Sequence, residues 1–93
     1  MSDIRLVKLK SGEEIIGDVT VINGDVIISN PCQLMPTEQG IGFAPWPPFS
    51  KNDNVTVKMD WVICIADPVD AARDAWNQKF GSGIILPNVQ LNG

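Results

Sequence analysis

Two tight turns divide the segment from Leu6 to Asn30 into three short runs of β-forming residues. The first turn is Ser11-Gly12, and the second, Asn23-Gly24, lies between two runs rich in β-branched residues. An Asn-Gly pair favours the type I′ turn that joins neighbouring antiparallel strands. This segment is therefore predicted to form a three-stranded meander, which the rest of the chain closes into a small barrel.

Two residues inside the meander predict where its strands deform. Gly17 interrupts the second strand, and a glycine there usually marks a sharp bend or a close backbone approach. Pro31 has no amide hydrogen, so the third strand is expected to have a bulge or a free edge at that point. Strict alternation along this strand would place four residues on one face: Val26, Ile28, Cys32 and Leu34.

The stretch from Phe43 to Phe49 is rich in proline and aromatic residues. Its three prolines prevent regular pairing on both sides, so we expect the residues from Ile41 to Phe49 to form an edge strand that runs into a loop. Trp46 and Phe49 have two interpretations. They either pack over one end of the barrel or form an exposed apolar surface that contacts a partner.

The run from Val55 to Ala66 is the most strongly β-forming part of the chain, and Lys58-Met59-Asp60 offers a break that divides it into two strands. From Trp61 to Ala66 both faces are apolar. A strand without a polar face needs cover on both sides. We expect that cover from the C-terminal helix or from a neighbouring subunit.

The helix follows directly. Asp67 is a suitable N-cap, Pro68 fits the first helical position, and Gly81 is a typical stop. The predicted organisation is a barrel over residues 1–66, a helix over 67–81 packed on the barrel or on a neighbour, and an apolar tail over 82–93. Asp67, Asp70 and Asp74 are interpreted as capping and dipole-compensating residues rather than as a cation site.

Composition limits the function. The 93 residues carry a formal charge of −4, which argues against a broad polycationic surface. The absence of histidine removes the commonest general base and metal ligand, so neither an enzyme, a metal site nor a cofactor is predicted. The sequence shows no signal peptide or membrane span, and Cys32 and Cys64 are expected to be free thiols, which together suggest a cytoplasmic protein.

Five short strands with a bent second strand indicate an SH3-like or OB-like barrel. Within that class, Gly12, Ile15, Gly17, Val19 and Ile22-Asn23 resemble the first motif of the Sm-like family. Residues 57–65 resemble the second motif more loosely, with Lys58 in place of its Arg and Met59 in place of its Gly. The helix and the segment FGSGIILP are similar to short Sm-like proteins of bacteriophages. The implied fold is all-β: a small, strongly bent, five-stranded antiparallel Sm-like (SH3-type) barrel with a C-terminal α-helix.

The resemblance also implies a ring of five to seven identical subunits, joined by strand pairing. The interface would include five residues of the fifth strand: Trp61, Val62, Ile63, Cys64 and Ile65. Single-stranded RNA would bind at the ring pore, and the positions that match the family's uridine site are Asn23, Ile27, Lys58 and Met59. Ile27 stands where the family has an asparagine.

Two functions therefore remain open. The first is a ring that binds single-stranded RNA, with one Lys58 from each subunit near the pore. The second is a structural or adaptor ring that binds protein partners. The acidic balance, the segment from Phe43 to Phe49, the apolar tail and the altered uridine motif favour the second.

Overall fold

The computed structural model describes residues 3–51 and 53–81. These residues contain six antiparallel strands and one α-helix. The strands are β1 Asp3–Leu9, β2 Glu14–Ile22, β3 Asp25–Thr37, β4 Gly40–Pro45, β5 Asn54–Lys58 and β6 Val62–Ala66. A 3₁₀ turn, Met59–Trp61, separates β5 from β6 at the predicted break. The helix α1 is Asp70–Phe80. The predicted tail, residues 82–93, lies outside the described residues.

The sheet has the strand order β4-β3-β2-β1-β6, and β5 pairs with β3. The predicted antiparallel β fold with a C-terminal helix is confirmed. The edge strand expected within residues 41–49 is present as β4, which pairs with β3 over residues 40–45 and brings the total to six strands, one more than the predicted five. The sheet does not close, since no pairing joins β5 to β6 within the described residues. The fold is thus a strongly bent open sheet.

The turn that starts β3 has the predicted geometry. Asn23 has φ +52° and Gly24 has φ +82°, so both central residues occupy the left-handed region that a type I′ turn requires. The strands pair from Ile22 with Asp25 onwards. This local signal therefore fixed the register of the first half of β3.

A bulge in β3 divides that strand into two halves. Ile16 pairs with Cys32 and Asp18 pairs with Ser29, so two residues of β3, at positions 30 and 31, lie opposite Gly17 alone. A Cβ atom on Gly17 would lie 2.5 Å from Ile28 Cγ2 and 2.8 Å from the Ser29 carbonyl oxygen. The predicted bulge at Pro31 and the close approach at Gly17 are thus one feature.

The extra residue in β3 reverses which side chains face inward. Val26 and Ile28 are fully buried in the inner core, together with Val7, Leu9, Ile15 and Val19. Cys32 and Leu34 lie on the opposite face, where they pack with Ile16 and the helix residues Ala72 and Trp76. The prediction that all four β3 residues share one face was wrong, because alternation fails across a bulge. The chain consequently has an inner core and a second apolar layer beneath α1.

The helix begins later than predicted. Its N-cap is Val69, which makes no capping hydrogen bond through its side chain, so Asp67 is not the cap. The Asp67 carboxylate instead accepts a hydrogen bond of 2.8 Å from Arg5 Nη1 on β1, and it lies 4.0 Å from Arg73. The Asp67 carboxylate, which the local sequence predicted to cap the helix, is thus paired with an arginine of β1 instead.

Candidate nucleic-acid interface

The β2–β3 turn and the end of β5 meet at one corner of the sheet. The Met59 amide donates a hydrogen bond of 2.9 Å to the Gly24 carbonyl oxygen. Asp25 and Lys58 are paired positions of β3 and β5. The structure therefore brings together Asn23, Lys58 and Met59, although 33 residues lie between Gly24 and Lys58 along the chain.

Lys58 forms an ion pair at this corner. Its Nζ donates a hydrogen bond of 2.8 Å to Asp25 Oδ1, and the Lys58 side chain is 77% exposed. This hydrogen bond, together with attraction to Asp25 and to Asp60, raises the pKa of Lys58 above its ordinary value. Lys58 is thus charged at neutral pH, but a carboxylate already balances that charge.

Ile27 lies further along the same face. It pairs with Thr56, two positions from the Asp25–Lys58 pair, and it is half-buried. Its neighbours Val26 and Ile28 point into the inner core. The outer face near the corner consequently combines the apolar side chain of Ile27 with the polar groups of Asn23 and Lys58.

Comparison with known proteins adds an independent observation. The sequence profile of the Sm-like domain matches residues 6–75, which include the second half of β1, all of β2 to β6 and the first half of α1. The chain belongs to the Sm-like family. A search of curated proteins found no match.

This Sm-like chain has three strand edges that remain without a partner in its described part, those of β4, β5 and β6. The outer edge of β5 is unpaired on one side of the sheet, and the outer edge of β6 is unpaired on the other. Val55 and Val57 of β5 pack against the inner core, as do Val62 and Ile65 of β6. Both edges are therefore held in extended form by the core behind them.

A second bulge changes the faces of β6. Leu9 pairs with Val62 and Lys8 pairs with Cys64, so Ile63 has no partner residue on β1. Because of this bulge, Val62 and Ile65 share the inner face, whereas the sequence alternation had placed them on opposite faces. Ile63 is 60% exposed, and Trp61 and Cys64 are also exposed. The outer side of β6 in the Sm-like chain is thus apolar and uncovered by α1.

The two aromatic residues of the Phe43–Phe49 stretch behave differently. Trp46 packs against the inner core, as an end-cap of the barrel would. Phe49 is 98% exposed in the loop after β4. One residue therefore follows the packing interpretation and the other follows the contact-surface interpretation.

The other groups that could react or bind a metal are the two cysteines and the acidic side chains. Cys32 is buried and Cys64 is exposed, and both are free thiols as predicted. Within residues 3–51 and 53–81, no group of three His, Cys, Asp or Glu side chains is placed to hold a metal ion. In the same residues, no helix is long and apolar enough to cross a membrane.

Sequence reasoning missed Asp25, the ion-pair partner of Lys58. Asp25 follows the Asn23-Gly24 turn directly, so its position at the start of β3 was predictable. Its pairing with Lys58 required the register between β3 and β5, which the short β5 sequence does not specify. The only available signal was the opposite charge of two residues that both lie at strand ends.

Proposed function

We propose that this Sm-like chain assembles into a homo-oligomeric ring through β5 of one subunit and β6 of the next. The observation that carries the proposal is the pair of unpaired edges on opposite sides of one bent sheet. An exposed edge with apolar side chains is an aggregation hazard unless something covers it. A ring covers the β5 edge and the β6 edge of each subunit with identical neighbours.

The two edges differ, so their contact is heterologous. A contact of this kind repeats from subunit to subunit and ends only when the rotation closes. Family membership supports five to seven subunits. In such a ring β6 would be covered on its outer side, which accounts for the apolar surface around Ile63.

Native mass spectrometry tests the assembly. The intact chain is expected to give one closed species of five to seven subunits, and Ile63→Lys is expected to give monomers because it places a charge in the interface. Val21→Lys is the matched control, since Val21 is also about half exposed but lies on β2. A monomeric intact chain, or an Ile63→Lys variant that still forms the ring, would contradict the proposal.

The first candidate ligand is single-stranded RNA at the pore. The supporting observation is the corner where the type I′ turn, Lys58 and Met59 meet, because ring symmetry would repeat it around the pore. Backbone contacts of RNA depend on Lys and Arg and weaken with salt. Asp25 lowers the net charge of each corner, so weak and strongly salt-dependent binding is expected.

Fluorescence anisotropy with labelled oligo(U) at two salt concentrations tests this ligand. Lys58→Ala is expected to abolish binding at low salt, and Lys51→Ala is the control because Lys51 is an exposed lysine of the loop before β5. No binding by the intact ring at low salt, or equal binding by Lys58→Ala, would remove RNA from the proposal.

The second candidate is an adaptor ring that binds protein. The specific observation in its favour is Phe49, an almost fully exposed aromatic residue in a proline-rich loop. Exposed aromatic residues are frequent anchors of protein interfaces. In a pull-down, Phe49→Ala should lose a partner that Lys51→Ala retains; equal recovery would count against this surface.

Neither candidate assigns a catalytic step to the chain. The two free thiols, Cys32 and Cys64, are compatible with a reducing compartment, and the proposal accordingly places the ring in the cytoplasm.

A further inference from the structure

An apolar cleft runs between α1 and the β3–β4 hairpin. Near the start of the helix, a cavity of about 400 Å³ is lined by Leu34, Ile41, Val69 and Ala72 among others. Near the end of the helix, a second cavity of about 270 Å³ is lined by Cys32, Phe43 and Phe80 among others. Both cavities thus have walls from β3, β4 and α1, and they succeed each other along one boundary.

The first of these cavities exposes large apolar side chains. Val69 is 65% exposed, and Ile41 and Met35 are each 46% exposed. β4 is also the last strand on its side of the sheet, and its outer edge pairs with nothing in the described residues. The cleft therefore lacks cover for both side chains and backbone groups.

We propose that residues 84–89 of the same chain, Ile-Ile-Leu-Pro-Asn-Val, occupy this cleft. The inference is independent of ring formation and of RNA binding. It rests on the chemistry of the segment, on its length and on where α1 ends.

The chemistry of the segment matches the cleft. Residues 82–93 contain no charged side chain, and five of the twelve are large aliphatic residues: Ile84, Ile85, Leu86, Val89 and Leu91. An uncharged aliphatic segment gains free energy from entering an apolar cleft and loses little hydration of polar groups.

The length of the segment also matches. The helix ends beside the smaller cavity, since Phe80 lines it. Gly81-Ser82-Gly83 follows, and two glycines allow the chain to reverse there. From Phe80 back to Ala72 is about 12 Å at the helical rise. From Ile84 to Val89 is about 17 Å in extended form, so the segment spans both cavities.

The direction is suitable for strand-like contact. β4 and α1 both run towards the smaller cavity, because Ile41 and Val69 line the larger cavity while Phe43 and Phe80 line the smaller one. A tail that returns from Gly81 runs antiparallel to β4, and the free edge of β4 can then accept an added strand. Attachment to the same chain favours this occupant over another copy, because a short link gives a high effective concentration.

Thermal unfolding provides the first test. The chain ending at Gly81, and the triple variant Ile84→Ser, Ile85→Ser and Leu86→Ser, are each expected to lower Tm by about 4 °C or more. The control Asn88→Ser, Gln90→Ser and Asn92→Ser changes only polar residues of the same segment and should leave Tm unchanged. A chain ending at Gly81 with the Tm of the intact protein would overturn the proposal.

A substitution in the cleft makes the test specific. Ile41→Lys places a charge where the tail would pack, so it should lower the Tm of the full chain but not that of the chain ending at Gly81. An equal shift in both backgrounds would show that Ile41 does not contact the tail, and would overturn the proposal.

Disulfide cross-linking distinguishes the chain's own tail from that of a second copy. In a Cys64→Ser background, Ile41→Cys and Val89→Cys are combined in one chain and oxidised. The expected product is an internal disulfide that migrates as a single chain on a non-reducing gel. A covalent dimer would show that a neighbouring copy supplies the tail, and would overturn the assignment to the same chain. Native mass spectrometry of the chain ending at Gly81 separates this result from failure of the ring.

Discussion

The indole nitrogen of Trp76 donates a hydrogen bond of 3.1 Å to the carbonyl oxygen of Asn30. Trp76 belongs to α1 and is buried, whereas Asn30 lies in the β3 bulge with φ +52°. The Asn30 amide also donates a hydrogen bond of 2.6 Å to the Asp53 carbonyl oxygen. The helix and the loop before β5 are thus both attached to the residue at which β3 bends.

Replacing Trp76 by Phe is expected to destabilise the fold by about 1–3 kcal/mol, because it leaves a carbonyl group unsatisfied and reduces packing beneath the helix. Chemical denaturation measures the loss. Trp61→Phe is the matched control: Trp61 is half exposed and its indole makes only a long, exposed contact of 3.4 Å with Ser11. Its cost should remain below about 0.5 kcal/mol. Equal costs for the two variants would contradict the role of the Trp76–Asn30 contact.

Gly17→Ala is expected to destabilise the protein by about 1–3 kcal/mol or more, because the new methyl group would overlap Ile28 and the Ser29 backbone. Thermal unfolding measures the change. Gly42→Ala is a suitable comparison, since its closest neighbour is a side-chain methyl group of Thr37 in an exposed hairpin. If Gly17→Ala were the milder of the two, the close approach of β2 and β3 would be wrong.

The two thiols are expected to differ in reactivity. Burial raises the pKa of Cys32 above its ordinary value of 9.0, with a smaller opposing effect from Lys79. In the Ile63→Lys variant, which is expected to be monomeric, the exposed Cys64 should react rapidly with a disulfide reagent, while the buried Cys32 reacts only when the protein opens.

The raised pKa of Cys32 determines how the stability of the fold changes with pH. Below pH 9 both the folded and the unfolded chain hold the Cys32 proton, so stability is unaffected. As the pH rises above 9 the unfolded chain loses this proton more readily, and stability falls. Cys32→Ala should remove this part of the alkaline decline, as measured by denaturant unfolding between pH 8 and pH 10. A decline of unchanged slope in that variant would assign it to other groups.

Asp25→Asn is expected to strengthen binding of oligo(U) about threefold or more at low salt, since it releases Lys58 from its ion pair. Stability should change little because the pair is largely exposed. Asp74→Asn alters the net charge equally, but on the helix, and serves as the control in the same anisotropy assay. Equal gains from both variants would attribute the effect to overall charge rather than to this corner.

The fold could be predicted where individual residues restrict the conformation of the backbone locally. Asn23-Gly24, Gly17 and Pro31 each restrict conformation within a few residues, and the turn, the close approach and the bulge all occur where those residues predicted them. The faces of β3 and β6 were not predictable, because one added residue at Asn30–Pro31 or at Ile63 reverses alternation for the rest of the strand.

The ion-pair partners of Asp67 and Lys58 could not be predicted from the sequence either. Asp67 has the local signature of an N-cap, yet its carboxylate accepts a hydrogen bond from Arg5 on β1. Lys58 was identified as a candidate for RNA contact, but its pairing with Asp25 depends on the register of two distant segments. Both outcomes are set by tertiary geometry rather than by neighbouring residues.

The bend at Gly17 and Asn30 has a consequence for how many subunits a ring would contain. The β5 edge is attached to the half of β3 before the bulge, and the β6 edge is attached through β1 to the half of β2 that includes Ile15 and Ile16. The angle between the two edges therefore depends on this bend. In a ring joined by these edges, the bend at a buried glycine and a bulge, rather than the contacting surfaces, would determine the number of subunits. A change in the bend would then alter the size of the pore while the contacts between neighbouring subunits stay the same.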